Sequence, residues 1–224
     1  MSDAPAPVAL RAVLFDLDGT LADTAPDLAH ALNEVRRERG LAPLPLAALR
    51  PFASAGARGL LAAGFGVGPE DEAFAPLREA FLRFYGARLC AATRLFPGVA
   101  ELLAAIEARG LAWGIVTNKA AALTHPLLGA LGLAERAACV VCGDTTPHVK
   151  PHPAPLLHAA DALGLSPREC LYAGDDLRDV QAARAAGMPV VAVLWGYGQG
   201  MHAWQADAVL AHPADLMSRL GAPM

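Results

Sequence analysis

Short apolar runs, each broken at an acidic, hydroxyl-bearing or glycine residue, set the rhythm of this chain. Ala12 to Phe15 stops at Asp16, Leu111 to Val116 at Thr117 and Asn118, and Ala138 to Cys142 at Gly143 and Asp144. Leu171 to Ala173 stops at Gly174, and Val190 to Leu194 ahead of Gly196-Tyr197-Gly198. Runs this short with such punctuation predict strands buried on both faces, and Ala208 to Leu210 predicts a short edge strand. Between them Val99, Leu102, Leu103 and Ile106 recur at i, i+3, i+4 and i+7, giving a helix with one apolar face and Gly110 as its stop. A second helix runs from Leu177 to about Ala186 and ends at Gly187. Alternation of this kind implies right-handed crossovers and a mostly parallel sheet covered on both faces, an α/β fold of doubly wound type.

From about Ala22 to Thr93 the alternation lapses into helical patterns without a convincing strand. This stretch predicts an inserted α-helical domain over residues 22–93, with the core formed by 1–21 and 94–224. Thr24, with Asp27 three residues on, predicts a capped start for the insert's first helix, which carries Leu28, Leu32 and Val35 on one face and ends at Gly40. A later helix, from about Glu70, places Phe74, Leu77, Phe81 and Phe84 on one side as core.

At 224 residues, 54% hydrophobic and 18% charged, the chain supports one sizeable core with a smaller insert, and its composition is globular. A net charge of −4 offers no basic face for nucleic acid or an anionic membrane. No apolar run approaches the roughly 18 residues needed to span a bilayer, and the first ten residues lack a basic-then-apolar leader. The expectation is a cytoplasmic monomer or homodimer acting on a small molecule. Cys90, Cys139, Cys142 and Cys170 are too scattered for a disulfide framework, and Cys139 and Cys142, three apart on a strand, face opposite sides.

The polar strand ends carry the chemistry, because a doubly wound sheet gathers its reactive groups beyond the carboxyl ends of its strands. Asp16 and Asp18 follow the first strand, Thr117 and Asn118 the second, Lys150 lies beyond the third, and Asp175, Asp176 and Asp179 follow the fourth. Two unit charges about 4 Å apart repel by about 4 kcal/mol at an effective dielectric of 20, so this many carboxylates call for a cation among them. A hard, oxygen-seeking Mg²⁺ fits, with Lys150 as a fixed positive charge, and no His/Cys pattern suggests zinc. With a phosphate present, Asp16 is placed to attack phosphorus and Asp18 to serve as general acid and base. Thr117, Asn118 and Lys150 are expected to grip phosphate oxygens, and Gly19 to let main-chain N–H groups approach them. Singly, these residues also fit turns, a helix cap at Asp175 and Asp176, or a surface lysine. Their joint order at four strand ends is what points to catalysis.

The segment Phe15-Asp16-Leu17-Asp18-Gly19-Thr20-Leu21-Ala22-Asp23-Thr24 resembles the first motif of the haloacid dehalogenase-like hydrolases. Val116-Thr117-Asn118-Lys119 resembles the second, Lys150-Pro151-His152-Pro153 the third, and Gly174-Asp175-Asp176 with Asp179 the fourth. The resemblance implies a Rossmann-like core with a helical cap, an aspartyl-phosphate mechanism, and Mg²⁺ held by Asp16, the Asp18 carbonyl and Asp175. Where the family usually has serine this chain has Asp176, expected to cap a helix, and Asp179 matches a position that orders the metal site from behind its ligands.

Lys-Pro-His-Pro-Ala-Pro-Leu-Leu, Ala-Ala-Arg-Ala-Ala-Gly-Met and Trp-Gly-Tyr-Gly look like the phosphoglycolate phosphatase group. Ala55-Gly56-Ala57-Arg58-Gly59-Leu60 and Trp113-Gly114-Ile115-Val116-Thr117-Asn118-Lys119 also resemble a neighbouring branch that dephosphorylates N-acetylmuramic acid 6-phosphate. A sugar phosphomutase shares Asp16, Asp18 and a helical cap, whereas a phospholigand sensor does not need both aspartates and related dehalogenases lack the second. Arg58 is the candidate for touching the non-phosphate end of the substrate. His148 and His152 read as loop residues, and Gly196-Tyr197-Gly198 as part of the rim.

Overall fold

Six strands lie parallel in one sheet of a computed structural model that describes residues 9–220, so the outermost residues of the expected core, 1–8 and 221–224, lie outside it. In chain order the strands are β1 (Ala12–Phe15), β2 (Ala22–Asp23), β3 (Arg94–Leu95), β4 (Ala112–Val116), β5 (Cys139–Val141), β6 (Cys170–Gly174), β7 (Val190–Val193) and β8 (Ala208–Leu210). The large sheet runs β5-β4-β1-β6-β7-β8, and β2 pairs antiparallel with β3 as a separate ribbon. β1 lies between β4 and β6, so the chain reverses direction of winding on either side of Asp16. Its carboxyl end is the switch point at which such sheets open a crevice.

The pleat explains the runs of apolar residues. Val13 and Phe15 of β1 join one side of the core with Trp113, Ile115, Leu171 and Val191, while Ala12 and Leu14 join the other with Tyr172 and Val190. Helices α5 (Val99–Ala108), α6 (Ala121–Ala130) and α9 (Pro213–Arg219) pack on the first side. The second side is covered by α7 (Ala154–Ala162) and α8 (Leu177–Ala186). Both faces are dry, which a sheet of parallel strands requires.

The β2–β3 ribbon marks where the chain leaves and rejoins this core. Between its strands lie α1 (Ala25–Glu38), α2 (Leu46–Leu49), a 3₁₀ segment (Arg50–Ala55), α3 (Gly56–Phe65) and α4 (Phe74–Ala87). Leu28, Leu32 and Val35 of α1 are buried with Leu60, Leu61, Leu77 and Phe81. The expected cap at the start of α1 does not form. The Thr24 side chain caps nothing, and Asp27 accepts instead from the main-chain N–H groups of Ala92 and Thr93 and from the Thr93 hydroxyl at 2.7–3.0 Å. The carboxylate thereby ties the first turn of α1 to the segment just ahead of β3, joining the two ends of the insert. On α4 the buried stripe is Leu77, Phe81 and Tyr85, with Phe74 and Phe84 only half-buried.

Candidate active site

The turn after β1 delivers two carboxylates to the crevice and gives each its own cation. Asp16 Oδ1 accepts from Lys150 Nζ at 2.8 Å, and Asp18 Oδ1 accepts from Lys119 Nζ at 3.0 Å and from the Thr24 hydroxyl at 2.5 Å. All five residues are largely buried, the Lys150 side chain to 3% exposure and that of Lys119 to 8%. Lys150 also donates to Val116 O, Tyr172 Oη and Asp179 Oδ1 at 2.7–2.8 Å. Burial alone would lower the Lys150 pKa, but Asp16 and Asp179 outweigh it and raise it, so the ammonium stays charged. Lys119 follows the same pattern, with Asp18 overcoming the cost of burial.

Asp175 ends β6 with no exposure at all and accepts from the Thr20 hydroxyl, the Ser54 hydroxyl and the Tyr197 N–H at 2.8–3.1 Å. Gly19 and Gly196 leave it room: a Cβ on Gly19, where φ is +91°, would lie 2.2 Å from Asp175 Oδ2, and one on Gly196 2.4 Å from Asp175 Cβ. The Gly196-Tyr197-Gly198 segment therefore seats Asp175 instead of shaping the rim. Its Tyr197 hydroxyl goes on to accept from Ala25 N–H and donate to Asp23, both at 2.9 Å.

One carboxylate oxygen from each of Asp16, Asp175 and Asp179 lies within 4.8 Å of the others. Burial pushes Asp16 up to about 7 even against Lys150, and burial followed by Asp16 and Asp179 pushes Asp175 up to about 8. An all-oxygen set in which two carboxylates resist ionisation together suits a hard divalent cation. Asp179 is committed elsewhere: Oδ1 accepts from Lys150 and Tyr172, and Oδ2 from Asp176 N–H at 3.0 Å. Asp16 keeps Oδ2 without a donor among the described residues, and Asp175, whose donors are neutral hydroxyl and N–H groups, lacks the ammonium that Asp179 holds. Asp176 accepts from Arg178 N–H as the cap of α8 and pairs with the Arg178 guanidinium, which holds its carboxyl low despite burial.

The residues expected to grip phosphate divide differently from the expectation. The Asn118 side chain is spent on the Lys150 backbone, donating to its carbonyl and accepting from its N–H at 2.9 Å each. Gly19 N–H donates to Ala22 O, and the absence of a side chain at Gly19 makes room for Asp175. Lys150 offers three protons to four protein acceptors, two of them the Asp16 and Asp179 carboxylates, at the edge of the same cavity. What lines the cavity with hydrogen to give is the Thr117 hydroxyl, which itself accepts from Lys119 N–H, and the main-chain N–H groups of Asp18 and Asn118, which have no acceptor among the described residues.

These groups line a cavity of about 300 Å³ between sheet and insert, with Arg58, Arg78, Phe81 and Tyr85 on its far wall. The insert is latched down over it, with Ser54 on Asp175 and Arg178 donating to Ser54 O at 2.9 Å. From the sequence Thr24 is expected only to cap α1, and Lys119, Arg178 and Tyr85 carry no expected role. Only Lys119 was signalled, by standing directly after Thr117-Asn118 at a strand end.

A family model described as haloacid dehalogenase-like hydrolase matches residues 13–193. A protein of Xanthomonas campestris called phosphoglycolate phosphatase is 48% identical over 92% of this chain and 94% of its own. One of Pseudomonas aeruginosa called N-acetylmuramic acid 6-phosphate phosphatase is 43% identical over 94% of this chain and 95% of its own. A crystal structure described as a predicted phosphoglycolate phosphatase from Haemophilus somnus superposes with a TM-score of 0.83 at 30% identity, covering 94% of this chain and 97% of that one.

Proposed function

This chain belongs to the haloacid dehalogenase-like hydrolases and is a phosphoric monoester hydrolase, and from that premise we propose that it hydrolyses 2-phosphoglycolate with Mg²⁺ as its ion. The carrying observation is that two aspartates two residues apart at one strand end are held by two different lysines. Lys150 fixes Asp16 for attack, and Lys119 with Thr24 turns Asp18 by one oxygen, leaving Asp18 Oδ2 for the leaving group. Asp16 forms a bond to phosphorus as the ester P–O bond breaks, and Asp18 gives the departing oxygen its proton. A water then attacks phosphorus, its proton returns to Asp18, and the Asp16–P bond breaks to release phosphate. Asp16, Asp175 and the Asp18 carbonyl would hold the ion, which when bound offsets phosphate charge and polarises a phosphate oxygen. Residues 22–93 act as the cap that excludes water, and the setting is a cytoplasmic monomer or homodimer.

A cavity of about 300 Å³ lies at the small end of the range for ligand sites and supports the smaller ester. N-acetylmuramic acid 6-phosphate is the second reading, supported by the 43% identity to the Pseudomonas protein. Comparing kcat/KM for the two esters in Mg²⁺ tests the choice. The mechanism is tested by Asp16→Asn, which should abolish turnover and the acid-stable, hydroxylamine-labile phosphate bound to protein. Labelling that persists in this variant would refute the assignment of Asp16.

A further inference from the structure

The Tyr85 hydroxyl, in a residue 1% exposed that lines the cavity, has no acceptor for its proton among the described residues, since the Lys119 ammonium beside it can only donate. A buried hydroxyl proton without an acceptor is unfavourable, and a ligand oxygen that accepts from it would remove that cost. Tyr85 does not stand alone. Arg78, Phe81, Leu82 and Tyr85 follow i, i+3, i+4 and i+7 on α4, and all four line the cavity, so one helical face is turned to it with a polar group at each end.

The charges of this wall are unspent as well. Lys150 is paired with Asp16 and Asp179, Lys119 with Asp18, and Arg178 with Asp176. Arg58 and Arg78 line the same cavity and make no ion pair or hydrogen bond among the described residues. They belong to the insert and so face whatever part of a ligand is not held by the strand ends. Two guanidiniums and a phenol are donors toward an anion, with no carboxylate on that wall to match a ligand's donors.

Resting on the phosphatase reading, we propose that Arg58, Arg78 and Tyr85 form a carboxylate-recognising subsite, so that the enzyme selects phosphomonoesters of hydroxy acids over neutral ones. Tyr85 is the deep donor, beside Lys119, whose ammonium lies 4.8 Å from the ring centroid, and the arginines stand along the wall. The selection then acts on the leaving group and not on the phosphate.

The test uses matched esters: 2-phosphoglycolate against 2-hydroxyethyl phosphate, and N-acetylmuramic acid 6-phosphate against N-acetylglucosamine 6-phosphate, each pair differing chiefly in a carboxylate. The wild-type protein should prefer the carboxylate member of at least one pair by roughly 10- to 100-fold in kcat/KM. Tyr85→Phe, and Arg58→Gln combined with Arg78→Gln, should each shrink that ratio at least several-fold, mainly through KM. Indifference to the carboxylate in both pairs, or variants that slow both members equally, would overturn the subsite. Calorimetric Kd values for the same esters on Asp16→Asn provide the same ratio without turnover. Thus, if none of the four esters is hydrolysed, the phosphatase substrates fail while the binding preference still decides the subsite.

Discussion

Thr24 and Asp18 stand six residues apart in the chain, and the threonine hydroxyl donates to the aspartate Oδ1 at 2.5 Å. Thr24 is also the last residue before α1, so the start of the insert and the orientation of the proposed acid and base are one structural fact. Thr24→Val keeps the shape and deletes the hydrogen bond, leaving Lys119 as the sole restraint. A hydrogen bond to a charged group is worth about 1.5–3 kcal/mol, so kcat should fall roughly 10- to 100-fold with KM little changed. Steady-state kinetics check this, and a loss confined to KM would refute it.

Lys150→Met removes the only cation bonded to both Asp16 and Asp179 among the described residues. Breaking a buried pair from one side costs about 3–5 kcal/mol, because the remaining charges lose their compensation. Urea unfolding should show a loss of that order, together with near-complete loss of turnover. A variant as stable as the parent would mean that the two aspartates are neutral in the folded protein.

Strand ends were legible because a parallel strand buried on both faces has to be apolar throughout, which makes Asp16, Thr117 and Gly174 stand out as its terminators. Hydrogen-bond partners were not. Thr24 and Asp27 carry the spacing of a capped helix, yet each is claimed by a group brought near only by folding, Asp18 in one case and Thr93 in the other. Lys119 is marked only by its place after Thr117-Asn118 and Arg178 by nothing, and only the folded structure pairs them with Asp18 and Asp176. Tyr85 was hidden for a different reason: the stripe Phe74, Leu77, Phe81, Phe84 describes α4 well as a packing face, and the residue that matters to the cavity sits one position beyond it.

Asp16 and Asp175 are both raised from 3.8, to about 7 and about 8, so between these limits the folded protein keeps protons that the unfolded chain has released. Their contribution to stability is fully present below about pH 4 and is lost as pH rises through 7 to 8. In chelator, the melting temperature should therefore decline across pH 5 to 8.5 from this source. A divalent ion binds the deprotonated carboxylates, so the rise in Tm on adding Mg²⁺ should be larger at pH 8 than at pH 5.5. A gain independent of pH, measured by scanning fluorimetry, would contradict the assignment of these two groups as the ligands.

Asp27 is 2% exposed and receives two main-chain N–H groups and a hydroxyl from Ala92 and Thr93. Asp27→Ala strands those donors at the root of the insert, and about 2–4 kcal/mol of stability should be lost. Protease cleavage within residues 88–96 should accelerate, because the linker loses its anchor. Unchanged proteolysis alongside lowered global stability would place the effect in α1 alone.

Ala25 N–H donates to a hydroxyl 172 residues further along the chain, at Tyr197, whose own N–H holds Asp175. One residue therefore serves both the start of the insert and the seat of Asp175, and a chain cut before residue 197 would keep Asp16 and Asp175 yet lose both contacts at once.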